Sequence, residues 1–145
     1  MVLKFIMKEY IAGKLCNETE RKQLEEIDKL CKEIGFETFL PHRDVGLANS
    51  LKDVEKVFHG DIIEGFKDCY VIIALLDGLH VGAGTAWELG YAYSKGIPAI
   101  GLKTDEPIEE ALDNLSAILI GSMEIVSSLE ELKEKLVKIR SNLEA

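Results

Sequence analysis

The sequence predicts a doubly wound α/β domain, a five-stranded parallel sheet with helices on both faces. Three observations carry this. Apolar runs of strand length alternate with amphipathic segments of helical period along all 145 residues. Residues 71–76 (VIIALL) are continuously apolar, the pattern of a central parallel strand covered on both sides. The connections are short, and right-handed parallel crossovers need helical layers on the faces of the sheet. No repeat or Pro/Ser-rich linker divides the chain, and its length suits one core, so residues 1–145 are expected to form a single domain.

Each element has its own signal. The apolar opening closes with Tyr10, Ile11 and Ala12 and stops at Gly13, giving a buried first strand. Leu24, Ile27, Leu30, Cys31 and Ile34 then recur at helical spacing, with Asn17 or Thr19 as N-cap and Gly35 as the stop. Residues 36–40 are short, aromatic-rich and ended by Pro41, which predicts the second strand. After a polar stretch over 42–50, Leu51, Val54, Val57, Phe58, Ile62, Ile63 and Phe66 predict one or two helices with a break at Gly60. The third strand, 71–76, ends abruptly at Asp77 and Gly78. A short helix is expected over 85–95 with Gly96 as its stop, then a fourth strand over 98–102. A fifth strand is expected within 118–126, interrupted by Gly121. Ser128 and Glu131 form a capping box that opens a last helix with the apolar stripe Leu129, Leu132, Leu136, Ile139 and Leu143.

Composition excludes several functions. Seventeen Lys and Arg against 26 Asp and Glu leave a net charge of −9, without the basic footprint that nucleic acid or an anionic membrane requires. The apolar opening is interrupted by Lys4, Lys8 and Glu9, is too short to span a bilayer, and lacks the order of a signal peptide. Cys16, Cys31 and Cys69 are odd in number and form no C-x-x-C pair, which argues against a disulfide framework or a zinc site. A reduced, cytoplasmic protein is expected. His42, His59 and His80 are too scattered for local metal-ligand spacing, so neither metal nor cofactor is expected.

Ligands of doubly wound sheets bind outside the carboxyl ends of the strands, and the chemically unusual residues gather there. Gly13 and Lys14 follow the first strand, residues 41–44 (PHRD) the second, 77–88 the third, and Thr104 and Asp105 the fourth. The densest stretch, 77–92 (DGLHVGAGTAWELGYA), holds four glycines and one buried-looking acid, Glu88, besides Asp77 at its start. Glycines there permit close backbone approach to a ligand. The pair Gly82 and Gly84 is a weak match to a dinucleotide fingerprint, since Trp87 occupies the third glycine position, and no P-loop occurs. Glu88 has two readings. Thr85 and Glu88 have capping-box spacing, a stabilising device worth about 1 kcal/mol. Alternatively, Glu88 is a carboxylate beside a glycine-lined pocket, placed as a nucleophile toward a sugar.

Residues 10–13 (YIAG), Asp77 and Gly78, 84–92 (GTAWELGYA) and 96–98 (GIP) together resemble the nucleoside 2-deoxyribosyltransferase family, most specifically in the GTAWELGYA stretch. The resemblance implies a flavodoxin-like fold and cleavage of the N-glycosidic bond of a deoxynucleoside, with the sugar passed to a free nucleobase or to water and no metal required. It implies that Glu88 is the nucleophile, with Tyr10 near it. It matches Asp61 to an acid contacting the base and Asn114 to an Asn donated by a neighbouring subunit, in a homodimer or higher homo-oligomer. Gly13, Lys14, Asp77, Gly82 and Gly84 complete the substrate-binding set. One departure matters: six positions before the Glu, where the family usually carries an acid for the sugar hydroxyl, this chain has Gly82. Related hydrolases of nucleoside 5′-monophosphates carry a small uncharged residue there. Gly82 and Gly84 could offer N–H groups to a phosphate, with charge added by Lys14, Arg43 or His80. A 5′-monophosphate N-glycosidase is therefore the second reading, and a nucleotide-binding module without catalysis the third.

Structural readings stand beside these. Asp61, after Gly60, has the position of an N-cap. Tyr10 at a strand end can simply bury its ring and hydrogen-bond its hydroxyl. Asp77 before Gly78 is a turn signal. Trp87 suits core or subunit packing, and His80 and Asn114 suit polar connections.

Overall fold

A computed structural model describes residues 7–144; the apolar residues 1–6, which the sequence assigns to the opening of the first strand, lie outside them. Five strands, β1 (Lys8–Ala12), β2 (Glu37–Phe39), β3 (Cys69–Leu75), β4 (Ala99–Leu102) and β5 (Glu124–Val126), pair in parallel in the order β2-β1-β3-β4-β5. This is the doubly wound, flavodoxin-like order, and it reverses between β1 and β3.

Strand periodicity deals the side chains to two cores. Ile11 of β1 with Val71 and Ile73 of β3 face one side, where α1 (Glu18–Ile34) contributes Leu24, Ile27 and Cys31 and α6 (Leu129–Glu144) contributes Leu132 and Leu136. Tyr10 and Ala12 with Ile72 and Ala74 face the other, against Ile62, Phe66, Ala111 and Leu115 and against Leu89 and Ala92 of α4 (Ala83–Ser94). Gly13 lets α1 approach the sheet, since a Cβ there would stand 2.6 Å from Leu24. Asn17 caps α1 by accepting from the Glu20 N–H, and Gly35 ends it at φ 108°.

Several expectations are corrected. The polar stretch after β2 opens with a four-residue helix, α2 (Pro41–Asp44), which Pro41 is pre-set to start. The apolar residues 118–126 do not form one strand. Residues Ala117–Ser122 form a short helix, α5, capped by Ser116, and only Glu124–Val126 pair with β4. The segment after β2 is one continuous coiling path: a 3₁₀ turn Leu51–Asp53, helix α3 (Val54–Phe58), then a wide turn over His59–Glu64. Gly60 widens that path instead of breaking it. At α6 the Ser128 hydroxyl accepts from the Glu131 N–H as expected, but the Glu131 carboxylate takes the Ser127 N–H and hydroxyl, one residue earlier than the simple box.

The helix carrying Glu88 starts two residues before its predicted position. Gly82 is its N-cap, Thr85 is buried in its first turn, and Glu88 lies in its second turn, bonded elsewhere. The Thr85–Glu88 capping box does not exist.

Candidate active site

Tyr10 stands in the middle of β1, paired with Ile72 of β3 and Phe39 of β2, and is 0% exposed. Its ring is stacked between Phe66, with centroids 4.1 Å apart, and Phe39, at 5.2 Å. These contacts hold the phenol rigidly, and its O–H donates to Glu88 Oε2 across 78 residues of sequence. Burial, and then the neighbouring Glu88, push the Tyr10 hydroxyl far above its ordinary value, so it stays protonated as a donor.

Glu88 is partly exposed on the sheet-facing side of α4. Burial pushes its carboxyl up to about 7; the Tyr10 hydroxyl pulls it down, and the charge of Asp61 adds to the rise. Asp61 sits in the wide turn before β3, with its Oδ1 buried and without a hydrogen-bond partner. It caps no helix, so its N-cap reading is overturned. Burial pushes it up to about 6. Two carboxyls and a phenol thus share one dehydrated corner, and near neutrality the two acids have about one proton between them. Such a pair can attack with one oxygen and donate a proton from the other.

One groove borders the cluster, and a separate pocket lies at the ends of β1 and β3. Phe39, which stacks on Tyr10, and Gly60, next to Asp61, line a groove of about 950 Å³ that also takes in Phe58 and His59. Lys14 lines a pocket of about 290 Å³ together with Gln23, Gly78 and the acids Glu20, Asp77 and Asp105. Lys14 crosses the glycines after β3: a Cβ on Gly82 would meet its Cγ at 3.3 Å, and one on Gly78 its Nζ at 3.0 Å. The N-cap at Gly82 has no side-chain capping bond, so the first amides of α4 take no side-chain cap, and a Cβ on Gly84 would meet open space.

Other predicted site residues stand elsewhere or do other work. The Asp77 carboxylate accepts from the Thr104 N–H at 2.7 Å and from the Thr104 hydroxyl. Gly78 N–H donates to Asp105 Oδ2 at 2.8 Å. Lys103, only 2% exposed, reaches the Leu76 carbonyl at 3.3 Å and forms ion pairs with Asp105 and Glu106. These bonds tie the loops after β3 and β4 together. Arg43 is taken up by Asp28, Asp44 and Thr38, and so supplies no free charge to the glycines. His80 is exposed in its loop. Asn114 Nδ2 lies 3.4 Å from Glu106 Oε1, half-buried at the end of a 3₁₀ turn Ile108–Asp113. Trp87 is not a core residue: it is 52% exposed, stacked on Tyr91 and edge-on to Phe58. Sequence reading missed Phe39 and Phe66 as the clamp on Tyr10, and Lys103 as the loop tie. The lone Lys in the apolar run at the end of β4 was the available signal for the latter. Among the described residues no group of three or more His, Cys, Asp or Glu side chains could hold a metal, and no helix is long and apolar enough to cross a membrane.

Comparison with known proteins gives a family and a fold. The family model for nucleoside 2-deoxyribosyltransferases matches residues 10–120, well over half of the chain. A conserved protein from Enterococcus faecalis V583 superposes with a TM-score of 0.72 at 27% identity, over 92% of this chain and 99% of that one. A 2-deoxyribosyltransferase from Bacillus psychrosaccharolyticus superposes with a TM-score of 0.69 at 22% identity, over 87% of this chain and 90% of that one. A CMP N-glycosidase from Clostridium botulinum shares the fold with a TM-score of 0.50 at 22% identity, over 89% of this chain and 97% of that one. No curated protein matches the chain by sequence.

Proposed function

The chain belongs to the nucleoside 2-deoxyribosyltransferase family, and we propose that it cleaves the N-glycosidic bond of a deoxynucleoside through a covalent glycosyl ester on Glu88. The observation that carries this reading is the hydrogen bond from the buried Tyr10 hydroxyl to Glu88, with the unpartnered Asp61 beside the pair. A nucleobase leaves poorly as an anion, so the pair reacts from the minor microstate in which the shared proton sits on Asp61 and Glu88 is ionised, and Asp61 gives that proton to the departing base nitrogen. As that bond breaks, positive charge grows on the sugar ring and Glu88 Oε closes on the anomeric carbon. The Tyr10 O–H favours the anionic form of Glu88 and fixes which oxygen lone pair remains free. The departed base is neutral, and Asp61 is left ionised. In the second half Asp61 takes a proton from an incoming base nitrogen or from water, that atom attacks the anomeric carbon, and Glu88 leaves as a carboxylate. Two displacements give net retention.

A specific observation supports a second reading, hydrolysis of a nucleoside 5′-monophosphate. Lys14, the amides at the start of α4 that take no side-chain cap, and glycine in place of an acid at position 82 favour a phosphate there, against the acids Glu20, Asp77 and Asp105 that share the Lys14 pocket.

We further propose that the working form is a homodimer or higher homo-oligomer, with Asn114 completing a neighbour's site. The support is the apolar surface around it: Ile118 is 81% exposed on α5 and Tyr93 70% on α4, with Leu112 in the 3₁₀ turn also exposed. The protein is to be incubated with deoxynucleosides and with 5′-monophosphates, each with and without a second free base, and base release and exchange followed chromatographically. Exchange on deoxynucleosides supports the first reading; release confined to monophosphates supports the second. Absence of both reactions on every substrate overturns the enzymatic assignment.

A further inference from the structure

The wide turn over His59–Glu64 is closed by Gly65 N–H donating to Gly60 C=O, five residues back, at 2.9 Å, in place of the four-residue spacing of an α-helix. Turns of this width are rare and tend to occur at functional sites. This one holds Asp61, and the residue that ends it is unusually confined. Gly65 is buried, and its φ of −62° is ordinary, so glycine is not there for backbone freedom. It is there for space. A Cβ on Gly65 would stand 2.3 Å from the Asp61 carbonyl oxygen, 2.7 Å from Phe39 Cε1 and 2.9 Å from Tyr10 Cε2. None of these atoms can yield cheaply. The first is backbone, and the two rings are clamped in the stack Phe39–Tyr10–Phe66.

We propose that Gly65 is a positioning residue for the reaction: the space of its missing side chain is bounded by the Asp61 backbone and the Tyr10 ring, and keeping it empty sets how close Asp61 stands to the Tyr10–Glu88 pair. This rests on the functional reading above, because it assigns Gly65 to the spacing of those three groups. Adding one methyl must drive Asp61 away from Tyr10, tilt the Tyr10 ring away from Glu88, or do both. Asp61 then regains water and titrates closer to an ordinary Asp. The effect belongs to the chemical step, since no atom of Gly65 lies on a cavity wall described above.

The test uses Gly65→Ala, together with Phe39→Leu and the double variant Phe39→Leu/Gly65→Ala, in which the shortened residue 39 makes room on one side. Carboxyl-carbon NMR follows the Asp61 titration, and steady-state kinetics separates kcat from KM. For the folded Gly65→Ala proteins we expect the Asp61 midpoint to fall by about one pH unit or more, kcat to fall about tenfold or more, and KM to stay within about threefold. An unchanged Asp61 midpoint with kcat retained would overturn the proposal. So would loss of fold in both Gly65→Ala proteins while Phe39→Leu folds, which would make Gly65 a packing residue only. The titration reads the spacing whatever reaction the protein performs. An inactive wild type would therefore sink the functional reading while leaving this measurement intact.

Discussion

Glu88→Gln separates chemistry from support at the residue level. The amide oxygen of Gln can still accept from Tyr10, while the group no longer attacks carbon. We expect a thermal midpoint within a few degrees of wild type and a loss of about 10³-fold or more in kcat, checked by calorimetry and base release. Tyr10→Phe removes the donor that lowers Glu88, so the pH–rate profile is expected to move to higher pH. The wild-type profile should be a bell with its maximum between about 6 and about 7, the values to which burial lifts Asp61 and Glu88. Below that window both acids are protonated and nothing attacks; above it both are ionised and the base is not protonated. A flat profile across this window would contradict the shared-proton pair. Glu88 stands out in the sequence because it lies in a glycine-framed stretch after a fully apolar strand. Its partner Tyr10 is 78 residues away, and no local pattern shows that the two side chains meet. Capping-box spacing at Thr85 gave the wrong local partner because Gly82 starts the helix earlier and buries Thr85.

Strand β1 shows how one element serves both cores. Tyr10 points to the catalytic side, while its neighbour Glu9 points to the other, 0% exposed, with both carboxyl oxygens lacking a hydrogen-bond partner and Cys31 of α1 beside it. Asp28 faces the same thiol from one turn earlier on α1, and the charge of Glu9 reaches Cys69 of β3. Burial lifts Glu9 from 4.5 to about 7. The folded state therefore holds this proton more tightly than the unfolded chain does. Its contribution is fully present below pH 4.5 and is lost as pH rises through about 7. The loss is on the order of 3 kcal/mol. Chemical denaturation from pH 5 to 8.5 should show stability falling as Glu9, Glu88 and Asp61 ionise, and Glu9→Gln should remove somewhat less than half of that slope; an unaltered slope in the variant would refute it. The sequence marks Glu9 only as an interruption of an apolar run, and period two alone does not say that the acid faces inward. Elements with strong signals, such as β3 and α1, are legible to within two residues. The fifth strand is not, because the apolar residues 118–120 cover part of a helix, and strand and helix cannot be told apart in so short a run.

The whole molecule is anionic, yet its exposed large apolar residues are uneven. Trp87, Tyr93, Leu112 and Ile118 crowd the side of the sheet that carries Glu88, whereas the side covered by α1 and α6 shows mainly Leu129, Val137 and Leu143 at lower exposure. Sequence periodicity cannot display such an asymmetry, since it appears only once helices are assigned to faces. If that surface joins two copies, Ile118→Glu should shift sedimentation to the monomer and lower kcat while the thermal midpoint of the isolated subunit stays close to wild type. A fully active monomer would remove Asn114 from any neighbour's site. The most direct measurement is intact-protein mass spectrometry during turnover of a deoxynucleoside without acceptor base, followed by peptide mapping. One glycosyl unit attached to the peptide carrying Glu88, absent in Glu88→Gln, is the expected result; turnover with no adduct on quenching at any time, and undiminished in Glu88→Gln, would contradict it.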